Sequence, residues 1–316
     1  MIAFVFPGQG SQYIGMGKEF YENFSEVKTL FNKAEELTQI PVRKLCFEGP
    51  LSELTITKNL QVCLTVVSIA CYLVLRNKLE EKNIYPSFVA GHSLGEYSAL
   101  FSAEVLSFED TLKAVKERAR LMDEAGKKSN STMYAIIGFP LDKLKKIIKN
   151  SSGLVIISNY NSPKQLVISG EIPAVDKVAE EAKNQGAKKV VKLKVSAGFH
   201  SPLMKEAEEE LKNVLNKLSW KPPKIPFVSN VSGKAETSAE EIKNLMKKQI
   251  TSSVKWIDCV NFMYNKGVKI FIEIGPKKVL SGLISQILEG KEFKCYNVEN
   301  LQTLNLVCQA LVSSQK

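Results

Sequence analysis

One short segment near residue 93 constrains the fold of this chain more than any other feature. Residues 91–95 read GHSLG, which fits G-x-S-x-G, between an apolar run at 88–90 and a helix-forming run at 96–100. Such a segment makes a tight turn from strand to helix and holds the serine hydroxyl above a sheet. The backbone N–H of Leu94 would then lie at a helix N-terminus, where it can donate to an oxyanion. The segment predicts an α/β fold and a nucleophilic Ser93; the alternative is that Ser93 only caps the helix.

Strands and helices alternate along most of the chain. Short apolar runs predict strands at 2–6, 88–90, 227–231 and 270–274. Helical spacing of apolar residues predicts helices over 21–37 and 62–79. Alternation of this kind is typical of a mostly parallel sheet, and together with the turn at Ser93 it predicts an α/β-hydrolase-like large domain.

The pattern changes between residues 129 and 195. Its order is β-α-β-β-α-β, with strands at 134–137, 154–158, 165–169 and 189–195 and helices at 141–149 and 174–185. Residues 159–164 would form the turn between the middle strands. This order predicts an inserted ferredoxin-like small domain over 129–195, which leaves a discontinuous large domain made of 1–128 and 196–316.

Composition limits the class of protein. With 316 residues and 44% apolar content, the chain can bury a large core. It contains no run of about 18 uninterrupted apolar residues, and its first ten residues are too short and uncharged for a secretory signal. We therefore expect a cytoplasmic protein that does not enter a membrane.

Charge and cysteine content narrow the choice of partners. The 43 basic and 33 acidic residues give a net charge of +10, which favours acidic partners, although a lysine-rich solvated surface would give the same number. The chain contains no basic tract with interleaved aromatic residues, so nucleic-acid binding is not expected. The six cysteines form no C-x-x-C pair and have no histidine at ligand spacing, so neither a metal site nor a disulfide framework is expected.

A nucleophilic serine needs a general base, and the chain offers few candidates. It has only two histidines, and imidazole is the usual base. His92 is adjacent to Ser93, where neighbouring side chains on a turn diverge. His200 follows the last strand of the small domain, in a segment that can re-enter the cleft. We therefore predict His200 as the base; the alternative is a packing or surface histidine.

A single arginine has an unusual place on a predicted helix. On a helical wheel through residues 110–125, Arg118 is the one charge on the apolar half, whereas Arg120 points to solvent. A buried guanidinium requires a carboxylate partner. Periodicity leaves two possibilities open: a structural ion pair within the protein, or a bidentate clamp on a substrate carboxylate.

Taken together, the motifs resemble one enzyme family. They are found in order at 6–12 (FPGQGSQ), 91–99 (GHSLGEYSA), 117–118 (ER), 159–163 (NYNSP), 198–202 (GFHSP) and 273–276 (EIGP). This set resembles the malonyl-coenzyme A:acyl carrier protein transacylases of bacterial fatty-acid synthesis, and the acyltransferase domains of polyketide synthases share it. The resemblance runs from residue 4 to about residue 285.

The resemblance implies a role for each main site residue. Ser93 would carry the acyl group, His200 would act as base and then acid, and Arg118 would bind the malonyl carboxylate. The backbone amides of Gln9 and Leu94 would form the oxyanion hole. The implied reaction is a ping-pong malonyl transfer from malonyl-coenzyme A to the phosphopantetheine thiol of acyl carrier protein, with no bound cofactor and no metal.

The resemblance also implies supporting residues. Gln249 would help to orient the imidazole, although its local pattern alone indicates a surface helix residue. Asn159 and Asn161 would line the cleft together with His92, although asparagine is common in turns. At the position before His200, Phe199 resembles the residue of the malonyl-selective members. Its ring would leave little room beside the second carbon of the acyl group.

Other functions remain open at this stage. Acyl carrier proteins are acidic, so docking on a basic face is expected. A serine hydrolase or thioesterase could use the same turn, a polyketide-type acyltransferase could use the same site, and a non-catalytic acyl-binding relative could keep the same fold.

Overall fold

The computed structural model describes residues 1–195 and 197–313. Residues 196 and 314–316, which the predicted large domain includes, lie outside the described residues. In the described ranges the strands are β1 (Ile2–Phe6), β2 (Phe88–Gly91), β3 (Ser131–Ile137), β4 (Val155–Ser162), β5 (Gln165–Glu171), β6 (Lys189–Lys192), β7 (Phe227–Val228), β8 (Ala235–Glu236), β9 (Ile270–Ile274) and β10 (Lys294–Val298).

The α-helices of the same ranges cover both sheets. They are α1 (Lys18–Asn23), α2 (Ser25–Thr38), α3 (Val42–Phe47), α4 (Leu51–Leu54), α5 (Thr57–Glu80), α6 (Gly95–Ser102), α7 (Phe108–Lys128), α8 (Leu141–Lys149), α9 (Ile172–Asn184), α10 (Lys205–Asn216), α11 (Ala239–Lys248), α12 (Trp256–Asn265), α13 (Val279–Ile287) and α14 (Leu301–Ser313).

The larger sheet confirms the prediction of a mostly parallel arrangement. Its strand order is β10-β9-β1-β2-β7-β8, and every neighbouring pair is parallel except β7 with β8. The strand expected over 227–231 ends at Val228, because the chain turns there: the N–H of Gly233 donates to the carbonyl of Ser229 at 2.8 Å. This early end leaves Asn230 free to reach the turn at Ser93.

Helix α5 forms the centre of the large-domain core. By length and composition it could cross a membrane, but 83% of its most apolar window is buried inside the protein, as expected of a core helix. The helix expected over 21–37 is two helices, because Phe24 between α1 and α2 has an extended backbone with φ −127° and ψ 122°.

The smaller sheet confirms the ferredoxin-like prediction. Its order is β4-β5-β3-β6 with every pair antiparallel, which is the βαββαβ arrangement. The exact domain limits at 128/129 and 195/196 stay a prediction.

Two boundaries in this sheet differ from expectation. Strand β4 continues to Ser162, so Asn159 and Asn161 lie on a strand and not in a turn, and only residues 163 and 164 connect β4 to β5. The extension is stabilised by the large domain, since the N–H of Tyr160 donates to the carbonyl of Val254 at 2.9 Å. Strand β6 ends at Lys192 and not at 195.

The two faces of the smaller sheet have different neighbours. Because side chains alternate along a strand, Met133 and Val167 join the core of the large domain, whereas Ile136 and Ile168 pack in a separate cluster with α8 and α9. A cleft therefore lies between the larger domain and the face that carries Met133.

Candidate active site

The turn between β2 and α6 holds Ser93 in a strained conformation. Ser93 has φ +51°, in the left-handed region that only glycine adopts freely. A Cβ on Gly91 would lie 1.9 Å from the carbonyl carbon of Gly95, so the turn is as tight as G-x-S-x-G predicts. The side chain of Asn230 holds it from both sides: its Oδ1 accepts from the N–H of Ser93 and its Nδ2 donates to the carbonyl of Gly91, each at 2.7 Å.

His200 lies in hydrogen-bond contact with Ser93. The Ser93 Oγ and His200 Nε2 atoms are 2.7 Å apart. The other ring nitrogen, Nδ1, lies 3.0 Å from the carbonyl oxygens of both Gln249 and Ser252. Because carbonyls only accept, Nδ1 carries the proton and Nε2 offers its lone pair to the serine hydroxyl.

The surroundings of His200 keep its ring neutral. Burial, followed by the nearby positive charge of Arg118, lowers the pKa of His200 to about 3. A neutral imidazole aimed at a hydroxyl can accept its proton during attack. In place of the carboxylate of a hydrolase triad, two backbone carbonyls hold the ring.

Arg118 enters the site from α7 and is almost fully buried, with 1% exposed. Its Nη2 donates to Ser93 Oγ at 3.0 Å, its Nη1 to Gln61 Oε1 at 2.6 Å and its Nε to Gln249 Oε1 at 3.2 Å. The Tyr97 ring lies below it, 5.7 Å from the guanidinium carbon. Within residues 1–195 and 197–313, no carboxylate forms an ion pair with Arg118.

One detail of the helical-wheel prediction is wrong. Arg118 is not the only buried charge of α7, since Asp123 is also buried with 6% exposed. Asp123 lies towards the end of the helix, where its carboxylate pairs with Lys127 at 2.8 Å. The ion pair with Lys127, one helical turn further along, explains how the carboxylate of Asp123 can be buried.

The two residues whose backbone amides are predicted to form the oxyanion hole lie near Ser93 and line the same cavity. Leu94 precedes the first residue of α6, and Gln9 belongs to the loop after β1. A Cβ on Gly8 would lie 2.4 Å from the carbonyl oxygen of His92, which shows how closely this loop approaches the turn. In the described parts of the chain neither amide donates a hydrogen bond to a protein acceptor, so both can serve an oxyanion.

A cavity of about 150 Å³ joins these groups. Its lining comes from both domains: Gln9, His92, Ser93, Leu94, Arg118, Met122, Met133, Asn159, Asn161, Val167, Leu193, Val195, Phe199 and His200. The structure thus brings together every site residue that the sequence predicts, except Gln249, at a single cavity.

Gln249 lies behind the cavity and is buried, with 1% exposed, so the alternative of a surface helix residue is wrong. Its backbone carbonyl accepts from His200, as an orienting role requires. Its side chain makes different contacts: Oε1 accepts from Arg118, while Nε2 donates to the carbonyl of Ser93 at 2.8 Å and to Glu96 Oε2 at 2.6 Å.

The small domain contributes one polar contact to the turn. His92 Nε2 and Asn161 Oδ1 are 2.7 Å apart, and Asn161 Nδ2 donates to Gln165 Oε1 at 2.9 Å. Burial lowers the pKa of His92, so this ring is also neutral. Asn159 accepts from the hydroxyl of Ser158 at 2.7 Å.

Comparison with known proteins gives this geometry a family. The model of the acyl transferase domain matches residues 3–308. The malonyl CoA-acyl carrier protein transacylase of Bacillus subtilis (strain 168) is 43% identical over 98% of this chain and 97% of the relative. The chain belongs to the acyl transferase family.

Solved structures of this acyl transferase family agree in fold over almost the whole chain. The malonyl CoA-acyl carrier protein transacylase of Clostridium perfringens superposes with a TM-score of 0.92 and 37% identity, over 99% of this chain and 98% of that one. A malonyl-transacylase solved in complex with its type II polyketide acyl-carrier protein has a TM-score of 0.92 and 36% identity, over 98% and 99% of the two chains.

Three residues of this acyl transferase site were missed by sequence reasoning. Gln61 on α5 accepts from Arg118, Asn230 holds the turn at Ser93, and Glu96 accepts from Gln249. Glu96 and Gln61 carry a signal that could have found them, since each is a polar residue in a mostly apolar run of its helix. Asn230 carries none, because it lies in a loop. Among the described residues no cluster of three or more His, Cys, Asp or Glu side chains could hold a metal ion.

Proposed function

We propose that this chain transfers the malonyl group of malonyl-coenzyme A to the phosphopantetheine thiol of acyl carrier protein, through an ester on Ser93. The observation that carries the proposal is the pair of contacts at one atom. Ser93 Oγ lies 2.7 Å from Nε2 of the neutral His200 imidazole and 3.0 Å from Nη2 of Arg118. A nucleophile, its base and a cation for an acidic acyl group therefore meet within one cavity.

The first half of the reaction loads the enzyme. His200 Nε2 accepts the hydroxyl proton as Ser93 Oγ attacks the thioester carbonyl carbon, and the amides of Gln9 and Leu94 stabilise the oxyanion. The carbon–sulfur bond then breaks, and His200 returns the proton to the departing thiolate, so coenzyme A leaves as a thiol. Malonyl-Ser93 remains.

The second half reverses these steps with another thiol. His200 accepts the proton of the phosphopantetheine thiol of the carrier, and the sulfur attacks the malonyl ester. The bond to Ser93 Oγ breaks, and the serine recovers its proton from His200. One site serves both thiols in turn, so the kinetics are ping-pong, and no bound cofactor or metal is required.

Arg118 provides the selection for an acidic acyl group. Among the described residues, its two terminal nitrogens donate only to neutral oxygens, those of Gln61 and Ser93, so a malonyl carboxylate would displace none of their carboxylates. A bidentate pair with the guanidinium replaces two hydrogen bonds to neutral oxygens by two to an anionic carboxylate. The buried ring of Phe199 in the same cavity disfavours a branch at the second carbon, as in methylmalonyl.

The carrier would dock at a basic rim of the cavity. Leu193 and Val195 line the cavity, and Lys194, which lies between them in the chain, is exposed. Complementary charge would steer an acidic carrier to Lys194. We place the enzyme in the cytoplasm, where it would supply malonyl-carrier for fatty-acid elongation.

Intact-mass measurement tests this function directly. After exposure to malonyl-coenzyme A, we expect a gain of one malonyl group, located on Ser93 by peptide mapping and removed when phosphopantetheinylated carrier is added. Release of free malonate at full rate without carrier would instead identify a hydrolase. The absence of any covalent adduct would identify a non-catalytic binder.

A further inference from the structure

We propose that Glu96 is a positioning residue that sets the orientation of Arg118 through the side-chain amide of Gln249, and thereby tunes the preference for carboxylate-bearing acyl groups. This inference rests on the proposed function and adds a residue to it. Glu96 directly follows the G-x-S-x-G turn, on the first turn of α6, and is fully buried.

The carboxylate of Glu96 lies among hydrogen-bond donors, which include the hydroxyl of Ser229. Its Oε1 accepts from the N–H of Asn230 at 2.7 Å, and its Oε2 accepts from Gln249 Nε2 at 2.6 Å. An amide side chain has a donor end and an acceptor end. Because Glu96 and the carbonyl of Ser93 both take the donor end of Gln249, its Oε1 is left facing Arg118 Nε at 3.2 Å.

This arrangement connects a carboxylate to the guanidinium through an amide. A buried cation needs nearby negative charge, but a direct ion pair would occupy the nitrogens that a substrate carboxylate must reach. Here the charge of Glu96 supports Arg118 indirectly, and only Nε is used for the link. The two terminal nitrogens keep neutral partners that a substrate can replace.

The other oxygen of Glu96 acts on the turn itself. It accepts from the backbone of Asn230, whose side chain accepts from the N–H of Ser93 at 2.7 Å. The Glu96 carboxylate thus contacts both Asn230, which holds the turn at Ser93, and Gln249, which contacts Arg118. General support of the fold would affect malonyl and acetyl loading equally, whereas an effect through Arg118 would affect malonyl loading more.

Replacing Glu96 by glutamine would leave one buried hydrogen-bond donor without an acceptor. The new side chain has one acceptor where two donors point, those of Asn230 and Gln249. If the amide of Gln249 rotates to satisfy it, the NH₂ group of Gln249 faces Arg118 Nε, donor against donor. Either arrangement leaves one buried donor unpaired, and rotation removes the anchor of Arg118.

Titration gives a second, independent signature. The titratable groups that act on Glu96 are Tyr97 on its own helix and, from neighbouring elements, Arg118 and Cys259. Burial raises the pKa of Glu96 to about 7 and that of Tyr97 to about 12, and it raises the pKa of the Cys259 thiol. Only Glu96 in this group therefore changes charge near neutral pH.

The direction of the pH effect on malonyl preference follows from the two protonation states of Glu96. Below its pKa, protonated Glu96 has a hydroxyl where donors already point, so the link to Arg118 weakens and malonyl preference falls. The pKa of His200, about 3, is too low to produce this change. Folding favours the protonated acid, so the stability from Glu96 is full below pH 4.5 and is lost as pH rises through about 7.

The experiment measures loading rates with malonyl- and acetyl-coenzyme A at several pH values on both sides of neutrality. The ratio of the two rates cancels any titration common to both donors. In Glu96→Gln we expect the malonyl-to-acetyl ratio to fall by about tenfold, the size of one lost buried hydrogen bond. The wild-type ratio should fall below neutral pH, the Glu96→Gln ratio should not, and Glu96→Asp should recover part of the loss.

Glu273→Gln is the matched control. Glu273 is also a buried carboxylate whose pKa burial raises to about 7, but it accepts from Leu280 and Ser281 at the start of α13. Its substitution should leave the ratio at the wild-type value at every pH.

Each remaining outcome decides the inference. An unchanged ratio in Glu96→Gln, or an equal loss with both donors, would overturn it. If the Glu96→Gln protein does not fold, two other results would overturn the inference. One is a wild-type malonyl-to-acetyl ratio that is flat across neutral pH, and the other is a Glu96→Asp ratio equal to that of the wild type. Absence of malonyl loading in the wild type is a different result, since it refutes the proposed function itself.

Discussion

The two walls of the cavity differ in chemistry. The large-domain wall carries Ser93, His200 and Arg118, each held by at least one hydrogen bond of 3.0 Å or less. The small-domain wall is mostly apolar, with Met133, Val167 and Leu193, and its polar groups are the amides of Asn159 and Asn161.

The difference indicates a division of work. In the proposed mechanism, the groups that move protons or bind charge all lie on the large-domain wall. The small domain supplies apolar cover, which excludes water and strengthens the electrostatic contacts opposite. Substitutions on the two walls should therefore differ in both size and kind.

The largest effect is expected for Ser93→Ala and His200→Ala. Each should reduce malonyl transfer by about 10⁴-fold or more, because the nucleophile and its base act as a unit. Rate measurement and intact mass check this, with Ser98→Ala as control, a buried serine of α6. Retention of an acyl adduct in Ser93→Ala would assign the nucleophile elsewhere.

Arg118→Ala should have the next largest effect and should depend on the donor. Malonyl loading should fall by about 10²-fold or more, the cost of removing one partner of a buried charge pair, while acetyl loading changes far less. Arg120→Ala, two residues along α7 and paired at the surface with Glu124, should change neither. An Arg118→Ala enzyme that keeps its malonyl preference would disprove the clamp.

Asn161→Ala tests the opposite wall. It removes the contact with His92, so we expect a loss of less than about tenfold, the worth of one hydrogen bond, and a loss that is equal for malonyl and acetyl donors. Steady-state rates with both donors check it, with Asn150→Ala at the end of α8 as control. A loss as large as that of Ser93→Ala would mean that the small domain takes part in the chemistry.

The smallest effect is expected from charge at the rim. Added salt should weaken transfer to the carrier more than loading from coenzyme A, because only the carrier depends on long-range complementary charge. Lys194→Glu should raise the Michaelis constant for the carrier by a few-fold, an order of magnitude usual for a rim charge. Lys143→Glu, on the far layer of the small domain, should not. An equal salt response of both half-reactions contradicts this docking.

Local sequence patterns predicted much of the fold and the site. The run from 88 to 100 encodes a strand, a turn and a helix within thirteen consecutive residues, so Ser93 could be found without tertiary information. The order β-α-β-β-α-β is equally local. Boundaries failed where a distant segment intervened: β4 is longer than expected because Val254 pairs with its second half.

The contacts that complete the site could not be read in this way. Gln61, Asn230 and Gln249 reach Arg118 or Ser93 from 57, 137 and 131 residues away along the chain. Their side chains follow no periodic pattern, and periodicity reports only which face is buried. It identified Arg118 as buried but could not choose between an ion pair and a clamp.

By itself the sequence determined the secondary elements, the two-sheet architecture and the identities of the nucleophile and base candidates, because these depend on backbone preferences and burial over a few residues. Only the tertiary structure decided which neutral oxygens surround the guanidinium, and that Glu96 acts on it through an amide. Hydrogen-bond partners are selected by positions in space, and those positions exist only once distant segments have packed together.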